Sequence, residues 1–390
     1  MSNQVTTLPT AQLENVLNVR HRLQLLSVWE EEFKKEDALL LQRIHLLDEN
    51  RPVQRQQILQ ILRLRKALIS GRIKDPIDIS PELIIEKGGF KPVRGELVNQ
   101  FAKLTQSERH QWMDNLIFFM TLDLKELLQK TQAVSSYRVL GQQRNFLLGG
   151  RSGMGKTTFL DWLTSTRLAV VEPGRNHVPV VAIDAPVNNR TAKPLFQRIL
   201  LGFGLTFGKS DPDEELLERI IAYAVKCGLE MLIIDEIEHI TSDEIRCRVK
   251  ELSNVLRPIS VPIICASVNP ERWIEGDEEI AGRWNDKFAL TPYTLPDEDK
   301  GERSSKLIEL LSLLELILPF TQPSHLFEMK VGKDTGPAQV IFNHTGGILR
   351  DIMLLIRQAS KVAIEQDMSC LTIQLLNQTW GDIQKKAVGR

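Results

Sequence analysis

Cysteine is scarce in this chain: four residues in 390, Cys227, Cys247, Cys265 and Cys370, stand singly with no CxxC pair and no histidine at metal-ligand spacing. That spacing excludes a disulfide framework and a zinc module, and points to reduced thiols. Net charge is almost absent as well, 49 Lys and Arg against 50 Asp and Glu. Such a balance gives no overall attraction to nucleic acid or to anionic membranes, so any DNA contact needs a local basic patch. Long apolar runs are missing too: the longest, 307–320, is interrupted by Glu309 and Glu315 and is too short to cross a bilayer. The opening residues, MSNQVTTLPTAQ, lack the basic start and apolar stretch of a secretory signal, so a cytoplasmic location without a membrane partner is expected. There is no internal repeat and no low-complexity tract.

What is present is an ordinary globular composition, 42% hydrophobic and 25% charged. It is enough for a buried core and for about two or three domains at roughly 100–200 residues each. Residues 1–125 lack strand-like alternation and carry helical apolar spacing at 13–47 and 53–69, so a mostly helical N-terminal region is predicted. Pro- and Gly-rich sequence at 75–94 breaks it, after which Thr105 and Glu108 carry a capping-box signature. Arg51, Arg55, Arg63, Arg65, Lys66, Arg72 and Lys74 make a basic run that fits either a DNA or acidic-protein contact or a solvated helix face.

From 126 to 298 strands alternate with helices, the pattern of an α/β domain with a parallel sheet. Five strands are predicted, at 145–148, 178–183, 231–234, 263–267 and 288–291. Beyond 299 the strands stop, and 307–318, 338–343, 349–365 and 371–385 read as a small helical domain reaching to 390.

The first predicted strand runs into Gly150, Arg151, Ser152, Gly153, Met154, Gly155, Lys156, Thr157 and Thr158, which satisfies GxxxxGK[ST] in a strand–loop–helix context. Glycines let the backbone wrap round phosphates and aim its N–H groups at them, at a helix N-terminus that already favours anions. Lys156 would then reach the β and γ phosphates of ATP, and the Thr157 hydroxyl would ligate Mg2+. A second element follows: Met231 to Ile234 form an apolar strand ending in Asp235 and Glu236, at the edge of an open sheet where ligands bind. Asp235 suits the magnesium shell, and Glu236 suits orienting and polarising the attacking water. At the fourth strand's end, Ser267 and Asn269 are alternative sensors of the γ-phosphate. Arg283, before the fifth strand, resembles in its placement the arginine finger that AAA+ ATPases display to a neighbouring subunit's ATP. Arg350, following Thr345, Gly346 and Gly347, suits a lid arginine.

Taken in order, these features resemble AAA+ ATPases. Three stretches, HVPVVAIDAPVNNRTAKPLFQRILLGFG (177–204), EMLIIDEIEHI (230–240) and RVKELSNVLRPISVPIICASVNPERW (248–273), resemble more narrowly the TniB/TnsC family of DNA-transposition regulators, over roughly 126–365. The resemblance implies an α/β P-loop AAA+ domain with a helical lid. It implies an ATP- and Mg2+-dependent ATPase that forms homo-oligomeric rings or filaments on double-stranded DNA. It further implies links to a transposase and to a TniQ-like target-selection protein, with hydrolysis dismantling the assembly. Arg190 and Lys193 are the candidates for the DNA backbone, with Arg246, Arg248 and Lys250 behind them; residues 1–125 are expected to bind partners. Two other classes share the ATP residues: an origin-recognition or helicase-loader AAA+ enzyme, for which the tail after Leu371 is short, and a nucleotide-switched signalling NTPase, for which no repeats or effector domain are visible.

Overall fold

A computed structural model describes Val19, Arg20 and Leu23 and residues 90–114, 121–137, 144–167, 170–172, 175–187, 191–205, 207–208, 210–296, 305–331 and 334–388. The helical patterns at 13–47 and 53–69 otherwise lie outside these residues, as do the basic run from Arg51 to Lys74 and Arg190. Two compact units are formed, one from described residues within Ile73–Met120 and Pro292–Arg390 with the three isolated N-terminal ones, the other from those within Thr121–Thr291.

Described sequence begins with α1 (Phe90–Phe101) and α2 (Gln106–Asp114). Thr105 and Glu108 make the capping box their spacing predicts: Glu108 Oε2 accepts the Thr105 N–H at 2.7 Å, and the Thr105 hydroxyl accepts the Glu108 N–H at 3.3 Å. Reciprocal bonding of this kind satisfies donors that a helix start leaves free, and so fixes where α2 begins.

The second unit opens with α3 (Leu122–Ser136), capped by the Thr121 hydroxyl, and continues through β1 (Phe146–Gly150) and α4 (Lys156–Ser165). A short hairpin of β2 (Val170–Glu172) and β3 (Arg175–His177) precedes β4 (Val180–Asp184), α5 (Lys193–Gly202) and α6 (Asp213–Lys226). Next come β5 (Met231–Asp235), a 3-10 turn (Ile237–His239), α7 (Asp243–Leu256) and β6 (Ile263–Ala266). The short helices α8 (Pro270–Ile274) and α9 (Glu278–Arg283) lead to β7 (Asp286–Leu290).

Five strands form one sheet in the order β4-β5-β6-β1-β7. Every pairing is parallel, as the alternation of strands with helices predicts. The three central strands are buried through most of their length, which is why Met231–Asp235 and Ile263–Ala266 read as continuous apolar runs rather than alternating ones. A core of Leu147, Ile183, Phe196, Ile199, Leu232, Ile234, Val249 and Trp284 lies against them. Within it, Asn145 is 2% exposed. Its amide donates to Ser253 Oγ at 2.8 Å and its carbonyl accepts the Ile263 N–H at 2.9 Å. One side chain thus ties the approach to β1 to both α7 and the start of β6. The β2–β3 hairpin was not anticipated from the sequence, because three residues per strand show too little alternation to register.

In the other unit α10 (Lys306–Ile317) is followed by a two-stranded ribbon, β8 (Lys330–Val331) with β9 (Asp334–Thr335), and by α11 (Pro337–Thr345), α12 (Leu349–Glu365) and α13 (Ile373–Val388). Residues 90–114 pack with these helices. The Arg94 guanidinium donates to the carbonyls of Leu316, Leu318 and Phe320, each at 2.8 Å, and Trp112 Nε1 donates to that of Ile317 at 2.8 Å. The last carbonyls of α10 thereby gain partners that a helix end cannot supply itself, and a cation stands at the negative end of its dipole. Burial pushes the Arg94 pKa down and nearby Glu315 pulls it back up; Glu315, itself 3% exposed, accepts the N–H groups of Ser324 and Leu326. Among the described residues no helix is long and apolar enough to cross a membrane.

Replacing Asn145 by Ala removes the acceptor of the buried Ile263 N–H, a loss expected to cost about 1–3 kcal/mol. Urea unfolding should report it as a lower midpoint at unchanged slope, and an unchanged midpoint would contradict the role given to this side chain.

Candidate functional site

The site is built at the C-terminal edge of the sheet, where β1 turns into α4. Gly150 closes β1 with φ +141°, and a Cβ there would lie 2.7 Å from the Leu290 carbonyl oxygen of β7. Strand packing therefore demands glycine at the mouth of the loop. Arg151 and Ser152 are exposed, Met154 is buried, and Gly155, at φ 93°, is the N-cap of α4 without any side-chain cap. Backbone donors at the start of α4 are thus left to a ligand, at the positive end of a helix dipole.

Lys156, the first residue of α4, is buried, and its ammonium donates to the carbonyls of Gly150 and Arg151. Burial pushes its pKa down, while Glu238, Asp235 and Glu236, in that order, pull it up. Thr157 and Thr158 follow, both exposed. The Thr157 hydroxyl donates to Asp235 Oδ2 at 2.7 Å, reaching from α4 past the intervening β6 to the end of β5. Asp235 is 6% exposed, and its other oxygen accepts the Glu236 N–H at 2.8 Å. Lys156, Thr157, Asp235 and Glu236, far apart in sequence, are therefore brought to one place.

Glu236 has a left-handed backbone, φ 54°, uncommon for a residue with a side chain and often held at working sites. Its carboxylate is half exposed and stands 3.5 Å from His239 Nδ1. The two sensor candidates differ. Ser267 is fully buried, donating its N–H to Leu148 O at 2.9 Å and accepting the Asn269 N–H on Oγ at 3.1 Å. Asn269 is exposed at the tip and caps α8 by accepting the Arg272 N–H at 3.4 Å.

Arg283 ends α9, mostly shielded from solvent, with its guanidinium on Asn254 Oδ1 and Glu279 Oε1. Arg350 belongs to the other unit, where it is exposed near the start of α12 and its Nε donates to Asp351 Oδ1 at 3.0 Å. Lys193 is the first residue of α5. The further basic candidates are committed to internal partners: Arg246 to the Trp273 and Glu275 carbonyls, Arg248 to Glu214 and Glu251, and Lys250 to Glu279. Sequence reasoning missed Glu238, whose carboxylate leads the acids acting on Lys156; an acid three residues beyond Asp235, one 3-10 turn away, was the available signal.

These residues fit a magnesium nucleotide. An uncapped helix start and an ammonium suit phosphate, while a hydroxyl beside a carboxylate suits a hard cation. Among the described residues no group of three or more His, Cys, Asp or Glu forms a cage for a metal; magnesium arriving with phosphates needs only one or two protein oxygens.

A parallel sheet in the order β4-β5-β6-β1-β7, with a GxxxxGKT loop between β1 and α4 and an acid pair ending β5, defines an α/β P-loop fold of the AAA+ class. Residues 109–294 match the family described as Bacterial TniB protein. The match begins within α2 and ends just after β7, short of the 126–365 stretch at its C-terminal side. No curated protein matches the chain. Solved structures similar to it include Cdc6p from Pyrobaculum aerophilum, at 15% identity with a TM-score of 0.43, covering 63% of each chain. The ORC2 protein of Aeropyrum pernix in its ADP form aligns at 14% identity, TM-score 0.44, over 66% of each chain. The ORC1 protein of Aeropyrum pernix, solved in complex with DNA, aligns at 14% identity, TM-score 0.40, over 67% of this chain and 64% of that one. The chain spans just under two thirds of the length of these structures.

Because a side chain at position 150 would press on the Leu290 carbonyl, Gly150→Ala should lower stability by at least about 2 kcal/mol. A denaturation midpoint equal to wild type would remove the steric reason given for that glycine.

Proposed function

We propose that this chain is an ATPase that assembles on double-stranded DNA and regulates transposition, with hydrolysis controlling disassembly. The observation that carries the reading is the Thr157–Asp235 hydrogen bond, which joins the phosphate-loop sequence to the acid pair inside the stretch that matches the TniB family. Lys156 and the α4 N-terminus hold the β and γ phosphates, with Gly150, Arg151, Ser152, Gly153, Met154, Gly155 and Thr158 completing the cradle. Thr157 and Asp235 are the protein oxygens for magnesium. When bound, that ion offsets the charge of the phosphates and polarises the terminal phosphoryl group.

Hydrolysis adds a water oxygen to the γ-phosphorus and breaks its bond to the β–γ bridging oxygen, releasing ADP. Glu236 orients that water and takes its proton. Its exposure at the sheet edge and fixed backbone support the role. Of the two sensor candidates, exposed Asn269 is the better placed to meet a phosphate, whereas Ser267 is spent within the turn. Arg283 serves a neighbouring subunit's nucleotide, whose phosphates compete with Glu279 for the guanidinium. Arg350 acts from the lid. Arg190 and Lys193 contact the DNA backbone. The partners are a transposase and a TniQ-like target-selection protein.

Negative-stain microscopy with a non-hydrolysable ATP analogue, with and without duplex DNA, tests the assembly. Rings or filaments that need both are expected, and nucleotide-driven assembly indifferent to DNA would overturn the reading. Lys156→Ala should weaken ATP binding by about 100-fold, the loss of charge-assisted hydrogen bonds. Glu236→Gln should instead bind ATP and trap the assembled state, and hydrolysis by that variant at the normal rate would sink the catalytic assignment.

A further inference from the structure

Glu238 stands one 3-10 turn beyond Asp235 and faces two parts of the site at once. One carboxylate oxygen, Oε1, accepts the Val268 N–H at 3.4 Å. Val268 lies between Ser267 and Asn269, so this bond reaches the strand tip that carries both sensor candidates. The tip is held from β1 by the Ser267 N–H on Leu148 O, and by the Asn269 N–H on Ser267 Oγ; Glu238 adds a hold from the β5 side. The other oxygen, Oε2, is shut off from bulk solvent and has no hydrogen-bond partner. A buried carboxylate oxygen without a donor is unfavourable, and such atoms in native proteins call for a functional reason. The same carboxylate is the foremost acidic influence on Lys156.

We propose that Glu238 is a positioning residue for ATP hydrolysis: Oε1 sets the Ser267–Asn269 tip in register with Asp235 and Glu236, and Oε2 accepts a hydrogen bond from ordered water beside the reacting phosphate. The proposal rests on the ATPase reading above. Two opposed effects follow from the charge. The carboxylate acts by its negative charge on the Lys156 ammonium through space and so offsets part of that residue's attraction for phosphate. It also supplies an acceptor that a neutral amide cannot replace at the Oε2 position, so it speeds turnover. A residue that served only to hold the fold would show neither effect on isosteric replacement.

Glu238→Gln keeps the oxygen facing Val268 and removes the charge. Steady-state hydrolysis and equilibrium binding of a fluorescent ATP analogue, the latter also in the presence of a chelator, read the two effects separately. In the Gln variant kcat should fall about 10-fold or more, while the dissociation constant for the analogue stays equal to wild type or becomes smaller. Glu238→Ala, which also frees the Val268 N–H, should lose at least as much kcat and unfold at a lower temperature. Wild-type kcat in Glu238→Gln, or analogue binding weakened tenfold in it, would overturn the proposal. Failure of the underlying reading looks different, because wild-type protein would then bind no analogue. Failure of this proposal alone leaves wild type active, Glu236→Gln inactive and Glu238→Gln indistinguishable from wild type.

Discussion

The buried carboxylate of Asp235, held by the Thr157 hydroxyl, constrains everything around it. A carboxylate 6% exposed at the end of a central strand is unfavourable unless donors surround it. Here the donors come from the next residue's backbone and from a helix that starts on another strand's loop. For Thr157 to arrive, β1 must lie one strand away from β5, the loop must turn sharply at Gly150, and α4 must start at Lys156. Sheet order, glycine placement and helix start are the conditions under which that contact can form.

Lys156 sharpens the constraint. A buried ammonium and three acids, Asp235, Glu236 and Glu238, meet at one edge, and burial depresses the lysine pKa while the acids restore part of it. Such a concentration of partly desolvated charge adds little to stability and is characteristic of a place where charge is put to use. By contrast, the cations of α7 are balanced pair by pair at the surface, where ion pairs chiefly set geometry. In the helical unit the same economy serves structure: Arg94 and Trp112 close the end of α10 with four hydrogen bonds.

Much of the core architecture was legible in the sequence because it rests on local rules. The strand–loop–helix at 146–165, the apolar strand ending in Asp235 and the Thr105–Glu108 capping box each follow from spacing within a few residues. Less legible was whatever depends on distant partners. Nothing local distinguishes Asn145, which spans α7 and β6, from an ordinary polar residue before a strand. Arg246 and Arg248 looked like a basic patch because their partners, the Trp273 carbonyl and Glu214, lie 27 and 34 residues away. Ser267 and Asn269 were equivalent on spacing, and only the fold of the turn buries one and exposes the other. Glu238 stayed unremarked beside a stronger acid pair, since its hydrogen bond runs to Val268 at the tip after another strand.

The central claim is that Thr157 and Asp235 form the protein's half of a metal–nucleotide site. Electron paramagnetic resonance of Mn2+ in place of Mg2+ tests it most directly, with a non-hydrolysable ATP analogue and the full chain. The account predicts one Mn2+ held per chain only when nucleotide is present, and lost in Asp235→Asn. Mn2+ held equally well without nucleotide, or undisturbed by Asp235→Asn, would contradict it.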